Sequence, residues 1–260
     1  MFYEIKQYFS MYYRVCMFVI CFIIFFCGAL FLGFVLFPFH KIISTSDVLA
    51  KKNRASIKKL FIFFCFLMKF LRLIEIEVEK IDKINKLDAA IIVANHPTLL
   101  DYIILTAHIN DCLCIVKKEI WNNSILKNIV RPAGYMPNNM NPELILKCDN
   151  AIEEGSSILI FPQGTRSSLD DQQPIKSERG ASQLALRTKT NLLVISIALN
   201  MDFLNKSHKW YMPTKQKPKF KIKYEETIHI NKFLNNDYPI SIQARKLNKL
   251  INEKLLRYNS

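Results

Sequence analysis

The chain has 260 residues and a formal net charge of +14, from 36 Lys and Arg against 22 Asp and Glu. That length suits one catalytic domain with a full core plus an appendage. A basic chain seeks phosphates on nucleic acid, anionic lipid or a charged carrier, and 19 phenylalanines beside a long uncharged N-terminal run favour lipid over nucleic acid.

That run, Val15 to Phe37, holds 23 residues without a charge. At about 1.5 Å each they can cross a hydrocarbon core of about 30 Å. A signal peptide is the poorer reading, since its apolar region covers only about 7–15 residues. The run therefore reads as a retained transmembrane helix. Lys6 and Arg14 precede it; Lys41, Lys51, Lys52, Arg54, Lys58 and Lys59 follow. The positive-inside rule then puts the C-terminal side in the cytoplasm, on the inner membrane of a cell. Ile42 to Lys59 reads as a polar, lysine-rich connector. Leu60 to Leu71 is apolar but too short to span, and suits either a core helix or an interfacial one. The chain thus divides into a membrane-anchoring helical region, 1–71, and a catalytic domain, 72–260.

Within the catalytic region, Leu73 to Glu79 alternates Ile74, Ile76 and Val78 with three glutamates, as a half-buried strand does. Ala89 to Ala94 is continuously apolar and suits a central strand. Further strands are predicted at Cys112–Val116, Ser157–Phe161 and Leu192–Leu199, with an edge strand at Phe220–Tyr224. Helices are predicted at Pro97–His108, Pro142–Glu154 before Gly155, Arg179–Thr188 and Ile240–Tyr258. Strands alternating with helices predict an α/β fold with a mixed, mostly parallel sheet flanked by helices. Sites in such sheets lie at the carboxyl ends of strands. The seven cysteines lack C-x-x-C spacing and read as reduced packing residues, with no zinc site.

Two motifs fall at strand ends. The first is Asn95-His96-Pro97-Thr98-Leu99-Leu100-Asp101. Within one helix, positions i and i+5 lie about 140° apart and cannot face each other. His96 must therefore sit in the turn before the helix for Asp101 to reach it, with Pro97 at the first helical position and Asn95 or His96 as the cap. Such a pair suits proton abstraction from a hydroxyl, the aspartate fixing the tautomer. The competing reading is a capping histidine with Asp101 favouring the helix N-terminus. The second motif is Phe161-Pro162-Gln163-Gly164-Thr165-Arg166-Ser167. It offers a glycine for close backbone approach, a hydroxyl and a guanidinium fork for phosphate. The competing reading is an ordinary surface turn.

Together these blocks resemble the bacterial glycerolipid acyltransferases of the 1-acyl-sn-glycerol-3-phosphate acyltransferase type, with their N-H-x-x-x-x-D and F-P-E-G-T-R-S blocks. The resemblance runs over roughly Ile76 to Thr227. It includes Lys117-Lys118-Glu119-Ile120-Trp121, Arg131-Pro132-Ala133-Gly134-Tyr135 and Arg179-Gly180-Ala181. It implies a glycerol-3-phosphate acyltransferase-like fold and a membrane-bound O-acyltransferase. By this resemblance His96 takes the proton of an acceptor hydroxyl and Asp101 orients it. Gln163, Gly164, Thr165, Arg166, Lys117 and Arg179 bind substrate. The donor is acyl-CoA or acyl-carrier protein, the acceptor a lysophospholipid or glycerol-phosphate type, the third partner the lipid bilayer. No cofactor, metal or nucleic acid is implied.

Three departures matter, one of them the absence near Leu193-Val194-Ile195 of the proline usual in the last block. Gln163 stands where the family carries glutamate, and Gly134-Tyr135-Met136-Pro137-Asn138-Asn139 lacks the arginine that ends the intermediate block. Gln163 and the missing arginine suggest an acceptor other than ordinary lysophosphatidate. They also keep two alternatives open: a catalytically weakened lipid-binding partner of another enzyme, and an acyl-thioester hydrolase using the same pair on water. The lysines around Trp210-Tyr211-Met212-Pro213 suit a membrane interface or a plain basic loop.

Overall fold

The structure, a computed structural model, describes residues 2–139, 141–164, 178–205, 216–234 and 237–257. Helices α1 (Phe2–Phe31) and α2 (Phe37–Ile43) run on through a π-helical stretch, Leu32–Leu36. After Ser44-Thr45 the chain reverses into α3 (Ser46–Phe70). Then follow β1 (Glu75–Glu79), α4 (Ile81–Ile84), β2 (Ile91–Ala94), α5 (Asp101–His108), β3 (Cys112–Val116), α6 (Lys118–Asn122), α7 (Lys127–Val130) and β4 (Met136–Pro137). The chain continues with α8 (Pro142–Glu153), β5 (Ser157–Ile160), α9 (Gly180–Arg187), β6 (Leu192–Leu199), β7 (Lys219–Ile228) and α10 (Ile240–Arg257).

Seven strands form one sheet in the order β1-β7-β6-β2-β5-β3-β4. From β6 to β4 all neighbours are parallel, whereas β7 runs antiparallel to β6 and parallel to β1. β2 is central and fully buried, as its unbroken apolar sequence demands. The mixed, mostly parallel α/β sheet is as expected. β7 is not the predicted edge, since it lies between β1 and β6 and β1 takes the edge. Its alternation reflects one buried face, Phe220 and Ile222, while Lys219, Lys221 and Lys223 register against Glu75, Glu77 and Glu79 of β1. Those glutamates locally offset part of the chain's positive charge.

The lysine-rich stretch 42–59 is not a connector. Most of it is the first half of α3, which continues through the apolar 60–70 as one helix. The reason is long-range. Arg54 is buried among groups far along the chain: Nη2 donates to Asp111 Oδ2 at 2.8 Å and to Ser156 Oγ at 3.1 Å, and Nη1 donates to Ala133 O at 3.1 Å. Beside it, Asn53 donates to Pro132 O at 2.8 Å and accepts from His40 Nδ1 at 2.8 Å. Gly134 has φ +73°, and a Cβ there would stand 3.3 Å from Arg54 Nη1.

α1 and α3 pack antiparallel through Phe22–Phe64, Phe25–Phe61 and Phe25–Phe64 ring pairs. The hairpin lies along the sheet domain instead of standing away from it. Phe18 meets Phe203 at 5.3 Å between centroids, and Gly33 in the π stretch lies against Asn128 and Ile129. Buried residues of both parts form one continuous core. The outward face remains apolar, with Phe26, Phe31, Phe34, Phe39, Phe66 and Phe70 all more than half exposed or at half.

Candidate active site

Parallel pairing places the ends of β2, β5, β3 and β4 on one side of the sheet. Val93 registers with Ile160, so three residues further on His96 stands beside Gln163. The His96 N–H donates to Gln163 Oε1 at 3.0 Å, and the imidazole stacks on the Phe161 ring at 4.2 Å. Asn95 fixes the other flank: its amide donates to Ile197 O and accepts from Ile197 N–H, both at 2.7 Å. His96 is thus held through its backbone by β5 and through its neighbour by β6. Neither Gln163 nor Asn95 was assigned this task from sequence. Strand order would have been needed to see it.

α5 begins at Asp101, not at Pro97. The predicted caps Asn95 and His96 do not cap it, because the intervening turn is organised by Asp101 itself. Asp101 Oδ2 accepts from Thr98 N–H at 2.7 Å and Oδ1 from Thr98 Oγ1 at 2.6 Å. Thr98 Oγ1 accepts from Leu100 N–H at 3.1 Å. The carboxylate then meets His96 Nδ1 at 2.9 Å. This satisfies the expectation that His96 precede the helix. Asp101 is completely buried while His96 is partly exposed. Burial pushes the Asp101 carboxyl up, and hydrogen bonds from His96 and Thr98 oppose that push. A carboxylate at Nδ1 places the proton there and leaves the Nε2 lone pair for a substrate proton.

His96 lies on the wall of a cavity of about 760 Å³. Its interior is mostly apolar and comes from α1 (Phe25), the π-helical stretch (Leu32), α3 (Leu60), α5 (Ile103), β3 (Ile115) and α7 (Ile129). Polar groups gather where the strands end. Lys117, Lys118, Asn138, Gly164 and Glu178 line that part with His96. Gly164 has φ +64°, and a Cβ on it would stand 3.4 Å from Glu178 Oε1. Gln163 is buried, and its Nε2 has no partner among the described residues.

The structure thus brings together His96, Asp101, Gln163, Gly164 and Lys117. Arg179 is exposed at the residue before α9 and is not among the cavity-lining residues, although its neighbours Glu178 and Gly180 are. Arg131 is engaged elsewhere, 5.2 Å over the Trp121 ring and bonded to Trp121 O. Thr165 and Arg166 lie outside the described residues, as does Trp210-Tyr211-Met212-Pro213. Burial pushes the thiols of Cys114 and Cys148 up to about 12, which keeps them protonated and unreactive.

A buried Asp orienting a His at the carboxyl ends of a parallel sheet, over an apolar cavity, defines an α/β protein equipped to take a proton from a substrate that carries hydrocarbon. Residues 75–200 match the acyltransferase family model. The fold is similar to the crystal structure of the 1-acyl-sn-glycerophosphate (LPA) acyltransferase PlsC from Thermotoga maritima, with a TM-score of 0.60 and 17% identity over 94% of this chain and 98% of that one. At that identity the likeness carries the fold and nothing further. No curated protein sequence matches the chain. The family-model match and the shared fold together support an acyltransferase domain at residues 75–200.

Proposed function

We propose that this chain is a membrane-associated O-acyltransferase. It moves a fatty acyl group from acyl-CoA or acyl-carrier protein to a hydroxyl of a lysophospholipid or glycerol-phosphate type acceptor. The observation that carries the reading is the Asp101–His96 pair at the polar end of an apolar cavity.

In this reading His96 Nε2 takes the acceptor's hydroxyl proton while the oxygen attacks the thioester carbonyl. The new C–O bond forms, the C–S bond breaks, and the imidazolium returns its proton to the leaving thiolate. Asp101 stabilises the imidazolium in between. The acyl chain occupies the cavity. Lys117 and Lys118 at its polar end suit the donor's phosphates. Gln163 does not argue for lost activity, because the bond it makes to the His96 backbone needs only an acceptor oxygen. An apolar cavity also disfavours water as the acceptor, and with it the hydrolase reading. Gln163 and the arginine-free segment 134–139, whose Asn138 lines the polar end, support an acceptor other than plain lysophosphatidate.

The helical hairpin is the membrane-binding part. α1, the π-helical stretch and α2 together carry an apolar stretch long enough to cross a bilayer, Met11–Ile43. This stretch also packs on the sheet domain, Phe18 against Phe203 and Gly33 against Asn128 and Ile129, which favours insertion of its outward face into one leaflet over an isolated crossing. We place the catalytic domain on the cytoplasmic side, at the inner membrane.

The test compares the lipids of cells expressing wild type or His96→Ala at equal levels, by mass spectrometry. A species gaining one acyl group only with wild type supports the reading and names the acceptor. Identical lipids, with the acceptor present, would overturn it.

A further inference from the structure

Two tyrosines line the cavity, and the acyl-transfer step does not use their hydroxyls. Tyr102, next to Asp101 on α5, and Tyr135, just before β4, both line it, and the Tyr102 hydroxyl donates to that of Tyr135. Their rings meet edge to face at 6.2 Å, and Tyr102 is edge-on to Phe61 at 5.4 Å. The surrounding wall is apolar: Ile57, Phe61, Ile103 and Val130. Burial pushes both phenols above their ordinary value, so both keep their protons.

Two neutral hydroxyls hold two protons, and the bond between them uses one. The second has no acceptor among the described residues, whichever tyrosine donates. Arg54, near Tyr135, is a donor only. The thiols of Cys112 and Cys114 are directed to the carbonyls of Leu113 and Ile115. A wall meant only for hydrocarbon is better built from phenylalanine, since an unmet donor there is unfavourable.

We propose that the Tyr102–Tyr135 pair selects an acyl chain carrying an oxygen function, a hydroxyl or keto group, along its length. The proposal rests on the acyl-transfer reading for the identity of the chain. The mutual bond holds both hydroxyls in place before the ligand arrives, so little ordering remains on binding. The oxygen accepts the spare proton, and the rest of the chain contacts the apolar wall.

The experiment is competition on the full chain in detergent. Palmitate and its positional hydroxy isomers displace a bound fluorescent fatty acid, and the matching CoA thioesters are compared as donors to host lipid extract. One isomer is expected to bind about fivefold to tenfold tighter than palmitate, the factor one neutral hydrogen bond supplies, and to show the same preference in kcat/KM. In the Tyr102→Phe, Tyr135→Phe double variant that ratio should fall to about one. Palmitate binding as well as every isomer, a preference surviving in the double variant, or no displacement by any fatty acid would each overturn the proposal. Should the double variant not fold, the wild-type isomer series decides alone. Hydroxyl-selective binding without turnover of any thioester would support the pair's role and count against acyl transfer.

Discussion

Replacing Asp101 with asparagine separates two tasks of that residue, holding the imidazole and supplying charge. The oxygen at the Oδ2 position accepts from both Thr98 N–H and His96 Nδ1, whereas Oδ1 meets only the Thr98 hydroxyl. An amide nitrogen at Oδ2 would confront the Thr98 N–H. At Oδ1 it can donate to Thr98 Oγ1, so Thr98 selects the orientation that keeps an oxygen on His96. The tautomer is then retained and only the charge is lost. For charges about 4 Å apart at an effective dielectric constant of about 20, that charge stabilises the imidazolium by about 4 kcal/mol, or about a thousandfold in rate. Asp101→Asn should therefore lower kcat about a thousandfold, measured by thiol release from an acyl thioester with acceptor present. Nitrogen-15 NMR of the imidazole should still show the proton on Nδ1. The melting temperature should not fall, because an ionised group no longer has to be buried. A loss under tenfold would refute the electrostatic reasoning, and a proton moved to Nε2 would refute the role given to Thr98.

Two further outcomes follow from the hairpin. Asp111→Asn leaves the buried Arg54 guanidinium with a weakened partner and should cost about 2–4 kcal/mol in urea unfolding. Burial opposes ionisation of Asp111, but hydrogen bonds from Arg54 and Ser156 outweigh it and hold the carboxyl below its ordinary value. Its contribution is therefore complete above about pH 4 and declines as pH falls through the lower folded value; a wild-type-to-variant gap that does not narrow below about pH 4 would contradict this. Phe66→Ser with Phe70→Ser, at side chains 60% and 71% exposed, should weaken partition into anionic vesicles at least about tenfold per residue with the fold intact. Unchanged partition would remove that face from the membrane contact.

Periodicity made most of the sheet and the larger helices of the catalytic region legible, because alternation and apolar runs report local burial directly. The NHPTLLD and FPQGTRS blocks were legible for the same reason: the turns that present them are set by residues a few positions apart, and even the need for His96 to precede the helix follows from helical geometry. What tertiary structure decided lies at longer range. α3 is one helix through its lysine-rich half because Asn53 and Arg54 find partners at 111, 132, 133 and 156, and no local signal announces a buried arginine whose acceptors lie so far along the chain. α5 starts late because Asp101 folds back on Thr98 before meeting His96. β7 is interior because β1 covers it, and alternation cannot tell an edge from a neighbour of one. Gln163 touches His96 only through the register of β2 on β5. The cavity has no sequence signature, since its wall combines residues from both halves of the hairpin with α5, β3 and α7. Chemical identity is carried by short segments, whereas burial and hydrogen-bond satisfaction are closed by residues that only the folded chain brings together.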